Sequence, residues 1–418
     1  MFRKQVLDNG LTILTEHMPH VRSVALGVWL RRGSRHEKAS ESGLAHFIEH
    51  MVFKGTERRS QAQIAQELDE IGGQSDAFTS QEYAGFHAKV LGEHVPRAID
   101  LLSDIVLAPS FDAEELERER MVIFEEIKGV EDAPEDRVHD LFVEFFWPNH
   151  PLGRPILGTP ETVGGFERDD LVRFFRKIYA PSNIIVAAAG DVEHDALFEL
   201  VSSHFASLDT PPDDAIESPP SVRPTIRLQP KDLEQTHLVI GTVAPPQGSP
   251  DRYVAYVLNA ILGGNLSSRL FQVIREERGL AYSVYSGLNC FSDAGQFSIY
   301  AGTDPKHVTE VVDLTLEEIR RIKSEAVPAA ELDRAKSHMR GSILMSLEST
   351  GSRMSQIARL EMTQGRYVTP EETIASLEAV SSEDVLRLAT EIFDGRSLAM
   401  TVLGKLEHFH PVPESLVA

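Results

Sequence analysis

The chain matches itself once, at a long and nearly constant distance. Gly27 in SVALGVWL corresponds to Gly241 in THLVIGTV, and Gly190 in AAAGDVEH corresponds at the identical offset to Gly404 in TVLGKLEH. His94 in GEHVPRAIDLL pairs with His307 in PKHVTEVVDLT at an offset shorter by one, and Leu116 in FDAEELERER with Leu332 in VPAAELDRAK at an offset longer by two. Matches spread this widely at nearly one offset point to two copies of a domain, not to a stacked array of short repeats. The break between them falls at Asp209–Pro230, a stretch with six prolines and few large apolar residues, the composition of an exposed linker. At 418 residues the chain is also too long for one hydrophobic core. The expected organisation is therefore a first domain over 1–208, a linker over 209–230 and a homologous domain over 231–418.

Each copy mixes two periodicities. Short β-rich runs (SVALGVWL, NIIVAAAG, THLVIGTV, SLAMTVLG) alternate with long helix-period segments such as AEELERERMVIFEEIK and PKHVTEVVDLTLEEIRRIK. Strand-like runs follow one another directly in GGQSDAFTSQEYAGFHAKV, which favours antiparallel pairing over a doubly wound parallel sheet. The expected class is α+β, two tandem homologous domains, each a mainly antiparallel sheet packed with helices. No phosphate loop is present: Gly263-Gly264-Asn265 lacks the Lys-Ser/Thr ending that such a loop needs.

Charge and cysteine content narrow the chemistry. With 41 Lys and Arg against 64 Asp and Glu the formal charge is −23, which disfavours nucleic acid and acidic membrane surfaces and favours basic ligands. No window is apolar enough to span a bilayer, and an acid, Asp8, sits where a signal peptide would carry its apolar run, so a cytoplasmic protein is expected. Cys290 is the single cysteine, so a metal site would be built from carboxylates and the sixteen histidines.

The segment SGLAHFIEHMVFKG reads as a helix and contains His46-Phe47-Ile48-Glu49-His50. His46 and His50 are one turn apart, so both imidazoles can reach one metal ion. Glu49 lies beside that face, where a general base acting on metal-activated water belongs; the order is the inverse of the HExxH motif. A third ligand is needed, and a downstream acidic helix, Glu114 to Ile127, offers one. Glu119 and Glu126 are two turns apart on one face, and Glu126 follows the apolar run Met121–Phe124, where an unpaired carboxylate would be costly if buried. Glu114, Glu115 and Glu117 read as a solvated face; for Glu126 a ligand and a solvated acid are the two readings.

HFIEH, the ELERERMVIFEEI helix with Glu126 76 positions after His50, and the duplicated halves together resemble the pitrilysin family of zinc peptidases. HFIEHMVFKGT, HPLGRPILGTPE, GGNLSSRLFQVIREERGLAYSVYS and GSILMSLEST are similar to its short bacterial members, which are related to the catalytic subunit of the mitochondrial processing peptidase. The resemblance implies His46, His50 and Glu126 as zinc ligands, Glu49 as the base and Glu119 as a supporting carboxylate. It also implies Arg275 and Tyr282, in VIREERGLAYSV, as donors to the oxyanion. An extended peptide would add to the strand Asp76–Tyr83, contacting Asp76, Ala77 and Phe78, with Asp76 standing where the family commonly has Asn. An ionised Asp only accepts hydrogen bonds, which puts that contact in doubt. Asp136 and Asp140 lie where the processing peptidase holds an arginine near the cut, and like charges at i, i+4 favour a cation between them. Around Asn259 to Gly264 the second copy has neither His nor carboxylate, so one Zn2+ per chain is expected.

The family's long members close a chamber with four such domains, so two domains imply a dimer: a homodimer, or a heterodimer with an inactive homologue. The implied function is a zinc metalloendopeptidase acting on unfolded, basic peptides. Two other classes compete with it, a structural or assembly subunit of the same fold and a metal-dependent hydrolase of a non-peptide bond. His408 and His410 beside Pro411 read as incidental, not as a second metal site.

Overall fold

The computed structural model describes residues 1–206, 208, 218–222, 224–407, 409–411 and 416. Pro211 and Pro212 of the linker, and His408, lie outside the described residues. Each copy builds one sheet. The first contains β1 (Phe2–Val6), β2 (Thr12–His17), β3 (Ser23–Leu30), β4 (Gln74–Thr79), β5 (Ala84–Leu91) and β6 (Ile184–Gly190), in the order β1-β2-β6-β3-β5-β4. The second contains β7 (Thr225–Pro230), β8 (Thr236–Val243), β9 (Ala281–Cys290), β10 (Gly295–Thr303) and β11 (Ala399–Gly404), in the order β7-β11-β8-β10-β9. Leaving out β1, the two orders correspond strand for strand, which is the duplication expected from the repeat. Both sheets are antiparallel except at one pair each, β2 with β6 and β7 with β11. The last residues of the linker, from Thr225, already form β7, because Thr-Ile-Arg-Leu-Gln alternates with the period of a strand.

The repeated glycines explain themselves in backbone terms. Gly190 and Gly404 end their strands at φ +135° and +149°, a region that side chains disfavour, and a Cβ on either would strike the neighbouring strand. Gly241 lets Phe142 sit against β8, its ring 2.5 Å from where a Cβ would stand.

Packing divides the chain into two compact units that do not follow the linker alone. One comprises Met1–Gly129, Arg154–Glu217 and Met345–Tyr367; the other comprises Val130–Gly153, Ser218–Leu344 and Val368–Ala418. In the first unit Leu26, Val28, Phe86 and Val186 face a core shared with the helices Val95–Leu107 and His194–Phe205. Alternate residues of the same strands, Leu14, Ala25, Trp29, Ile185, Ala187 and Ala189, face the other way, onto Met354, Ile357 and Ala358 of the helix Thr350–Gln364. In the second unit Val239, Tyr300, Ala399 and Leu403 are covered in the same manner by Val138, Leu141, Phe142 and Phe146 of the helix Pro134–Phe146. The starts of these two covering helices are separated by the same offset as Leu116 and Leu332, so each sheet is covered by a helix from the opposite sequence copy.

Candidate metal centre

The helix Leu44–Met51 buries Leu44, Ala45, Phe47, Ile48 and Met51. His46, Glu49 and His50 are left on the opposite face, at the i, i+3, i+4 spacing of one side of a helix. Its first turn is held by a residue of the preceding loop. Glu37, only 2% exposed, accepts the backbone N–H of Gly43 (3.0 Å) and of Ala45 (2.7 Å) with its two carboxylate oxygens. These are N–H groups that no partner inside the helix can satisfy. Arg154 donates to the Glu37 carbonyl at 2.6 Å and so fixes the chain that carries the carboxylate.

The helix Ala113–Asp132 presents Glu119 and Glu126 to this face. His46 Nε2 and His50 Nε2 lie 3.7 and 3.6 Å from Glu126 Oε2. Ligand atoms of the three residues all fall within 4.8 Å of one another, and they form the one such cluster of His, Cys, Asp and Glu among the described residues. Ligands about 2.0–2.1 Å from a tetrahedral zinc stand about 3.4 Å apart, so the two His–Glu separations fit zinc closely. The donor set fits as well, since two imidazoles and one carboxylate are the three protein ligands of one class of catalytic zinc site.

Surrounding groups set the state of each donor. Burial, and then His50, push the His46 imidazole down to about 3, which keeps it neutral and its lone pair free. His50 Nδ1 lies 3.1 Å from Glu119 Oε2. With Nδ1–H donating to that carboxylate, Nε2 keeps its lone pair toward Glu126. Glu119 is buried and ion-paired at 2.7 Å with Lys54. Burial raises the Glu49 carboxyl above its ordinary range, the opposing influence being the Thr79 hydroxyl, which donates to Glu49 Oε2 at 2.6 Å. A carboxyl raised in this way is a stronger base once ionised.

Thr79 is the last residue of β4, which pairs only with β5 among the described residues and so forms the sheet edge beside Glu49. The strand is shorter than the Asp76–Tyr83 expected. Ser80–Tyr83 is a tight turn, closed by Ser80 N–H on the Tyr83 carbonyl at 2.9 Å, because Ser-Gln-Glu must reverse the chain into β5. Asp76 Oδ1 accepts the Ala77 N–H at 2.9 Å. Ala77 packs against the main core, and the Phe78 ring lies on the other face, against Trp29.

Arg275, Tyr282, Asp136 and Asp140 belong to the second unit. The Arg275 guanidinium lies 4.7 Å over the Tyr282 ring and 3.7 Å from Glu276, and Tyr282 is 75% exposed. Arg275 sits in a π-helical turn, Phe271–Glu277. Asp136 is exposed; Asp140 is half-buried, and burial raises its carboxyl against the pull of Arg137. Glu37, Lys54, Thr79 and Arg154 were not singled out from the sequence. Thr79 alone had a signal, its place within the strand expected to bind substrate.

Residues 12–160 match the family profile "Insulinase (Peptidase family M16)", and residues 165–339 match "Peptidase M16 inactive domain". The chain is 41% identical to an uncharacterized zinc protease, YmxG, of Bacillus subtilis, covering 94% of this chain and 96% of that protein. It is 39% identical to an uncharacterized zinc protease, Rv2782c, of Mycobacterium tuberculosis, covering 100% and 96%. The fold is shared with a protease from Helicobacter pylori (TM-score 0.89, 23% identity, 97% of this chain and 99% of that one). It is shared too with a chain of complex III2 from Candida albicans (TM-score 0.86, 21% identity, 99% and 98%).

Proposed function

This chain belongs to the M16, or pitrilysin, family and is a zinc-dependent metallopeptidase, and we propose that it acts as an endopeptidase on extended, basic peptides within a chamber closed by two copies. The reading rests chiefly on one observation, the convergence of His46, His50 and Glu126 with Glu49 held beside them. In this reading residues 1–208 form the catalytic copy, and 231–418 contribute contacts to the substrate and to the transition state.

His46 Nε2, His50 Nε2 and a Glu126 oxygen would hold the zinc. Bound there, zinc supplies Lewis acidity toward a peptide carbonyl and toward water. Glu49 takes the proton of the attacking water and returns it to the leaving amine. Thr79 fixes the Glu49 carboxylate during both transfers, and Glu119, anchored by Lys54, fixes the tautomer and ring angle of His50. The free edge of β4 accepts the substrate backbone through Asp76, Ala77 and Phe78, placing a peptide bond beside Glu49. Arg275 and Tyr282 donate to the developing oxyanion. Asp136 and Asp140, one turn apart on one helix, bind a basic side chain.

The test measures zinc per chain and cleavage of an unstructured basic peptide, for the parent and for Glu49→Gln. About one zinc in both forms, with cleavage by the parent alone, is the expected result. Cleavage surviving in Glu49→Gln removes Glu49 as base. A second reading, a non-catalytic assembly subunit, draws on the fold shared with the complex III2 chain. Zinc-loaded parent that cuts no peptide, with or without an added homologous partner, would favour it.

A further inference from the structure

The two sheets differ at one edge. In the first, β1 lies along the outer side of β2, antiparallel, from Phe2 opposite Glu16 to Val6 opposite Thr12. This added strand is held by the covering helix and the segment after it. Lys4 Nζ lies 2.7 Å from Glu361 Oε1, and the Phe2 ring stacks on Tyr367 at 4.3 Å. In the second sheet the counterpart of β2 is β7, and among the described residues it pairs with β11 alone.

The side chains along β7 alternate. Ile226 and Leu228 pack into the core beneath. Arg227, Gln229 and, just past the strand, Lys231 lie on the other face, toward the helix Pro134–Phe146, which is the counterpart of the helix bearing Glu361. With Arg137, Glu144 and Phe145 of that helix they line a cavity of about 380 Å³. The Arg227 guanidinium lies 4.3 Å over the Phe145 ring, and Lys231 Nζ donates to the Glu131 carbonyl at 2.7 Å. Among the described residues no carboxylate forms a salt bridge with Arg137, Arg227 or Lys231. Glu131 and Glu144 line the same cavity and Asp140 acts on Arg137, so the positive face is that of the strand itself, where Arg227 and Lys231 stand with no acid between them, in a chain of net charge −23.

We propose that the free edge of β7 binds an extended acidic peptide segment, paired through its backbone and held by Arg227, Lys231 and Arg137. The molecule contains its own precedent. The edge of β2 accepts a strand whose base reaches an acid on the covering helix; at β7 the bases lie on the strand and on the covering helix, so the fitting occupant carries the acids. A strand laid along β7 would place every second side chain on the face of Arg227 and Lys231, at cross-strand contact distance. The site stands whether or not the chain cleaves peptides.

The experiment measures binding by fluorescence anisotropy, with the Glu49→Gln chain to prevent cleavage. The probes are end-blocked ten-residue peptides in which Glu alternates with Val, Gln with Val, and Glu with Pro. The Glu/Val peptide is expected to bind, and more weakly as salt is raised. Gln/Val loses the charges and Glu/Pro the backbone N–H groups, and each should bind about tenfold more weakly. Replacing both exposed cations, Arg227→Ser with Lys231→Ser, should weaken Glu/Val about tenfold and leave cleavage of a basic peptide by the otherwise native chain unchanged. Absence of Glu/Val binding, equal binding by the double variant, or equal binding of Glu/Pro would each overturn the proposal. Loss of basic-peptide cleavage bears only on the peptidase reading.

Discussion

The two units share a strand order and a set of glycines, yet one carries a cluster that could hold a metal ion and the other a closed, neutral joint at the same place. Where the first has His46 and His50, the second has Ala260 and Gly264, at the offset that separates Gly27 from Gly241. Where the first has Glu119 and Glu126, the second has Ala335 and Ser342, at the offset that separates Leu116 from Leu332. The space is taken up by strand β9. Ser286 donates its N–H to the Gly263 carbonyl at 3.0 Å and its hydroxyl to Asn259 Oδ1 at 2.7 Å, and Gly263 is without a Cβ that would meet Ser286 N at 2.6 Å. The fold therefore does not need the polar cluster. Half-buried imidazoles set beside a carboxylate cost free energy that packing does not return, and a bound metal would offset it.

The comparison breaks most sharply at the ligands. His50→Ala should abolish zinc binding and lower peptide cleavage by about three orders of magnitude or more, whereas Asn259→Ala should leave both unchanged. Metal analysis and kcat/KM together check the pair, and loss of zinc from Asn259→Ala would mean that the second joint supports the first. Glu119→Gln keeps the shape but weakens the hold on His50 Nδ1. Zinc affinity should fall about 10- to 100-fold, measured by competition with a chelator of known affinity. Glu37→Gln leaves one of two helix N–H groups without an acceptor, at a cost of about 1–3 kcal/mol in denaturant unfolding. The last effect is expected at one of the shared glycines. Gly241→Ala presses on the Phe142 ring and on the Phe297 carbonyl oxygen, 2.8 Å from where the Cβ would stand, and should cost about 1–3 kcal/mol in denaturant unfolding.

Much of this architecture can be read from the residues. The repeat is legible because Gly190 and Gly404 serve one backbone need at one place in two sheets, a left-handed φ beside a neighbouring strand. The spacing of His46, Glu49 and His50 is legible because the same five residues fix both the helix and its open face. Glu126 is legible as an acid that follows an apolar run, and Glu119 as its partner two turns earlier. Glu37 is not, since its carboxylate reaches the helix start through the fold of the intervening chain and no spacing rule connects position 37 to 43 and 45. The exchange of covering helices is not legible either. The apolar stripe of Thr350–Gln364, with Met354, Ile357 and Ala358, shows that a face is buried but carries no mark of which sheet it meets.

That exchange sets a timetable for synthesis. The last strand of the first sheet, β6, ends at Gly190, while the helix that covers the sheet begins at Thr350, roughly 160 residues later. At ordinary elongation rates the ribosome needs roughly 8 to 30 s to supply it. Throughout that interval Trp29, Ile185 and their neighbours face water, and the helix Pro134–Phe146 waits in turn for a sheet not yet made. Nascent chains stalled before residue 350 should thus be cut readily by protease at the first sheet, and chains released whole should not. The emerging polypeptide is a client for chaperones for as long as its two halves are separated in time.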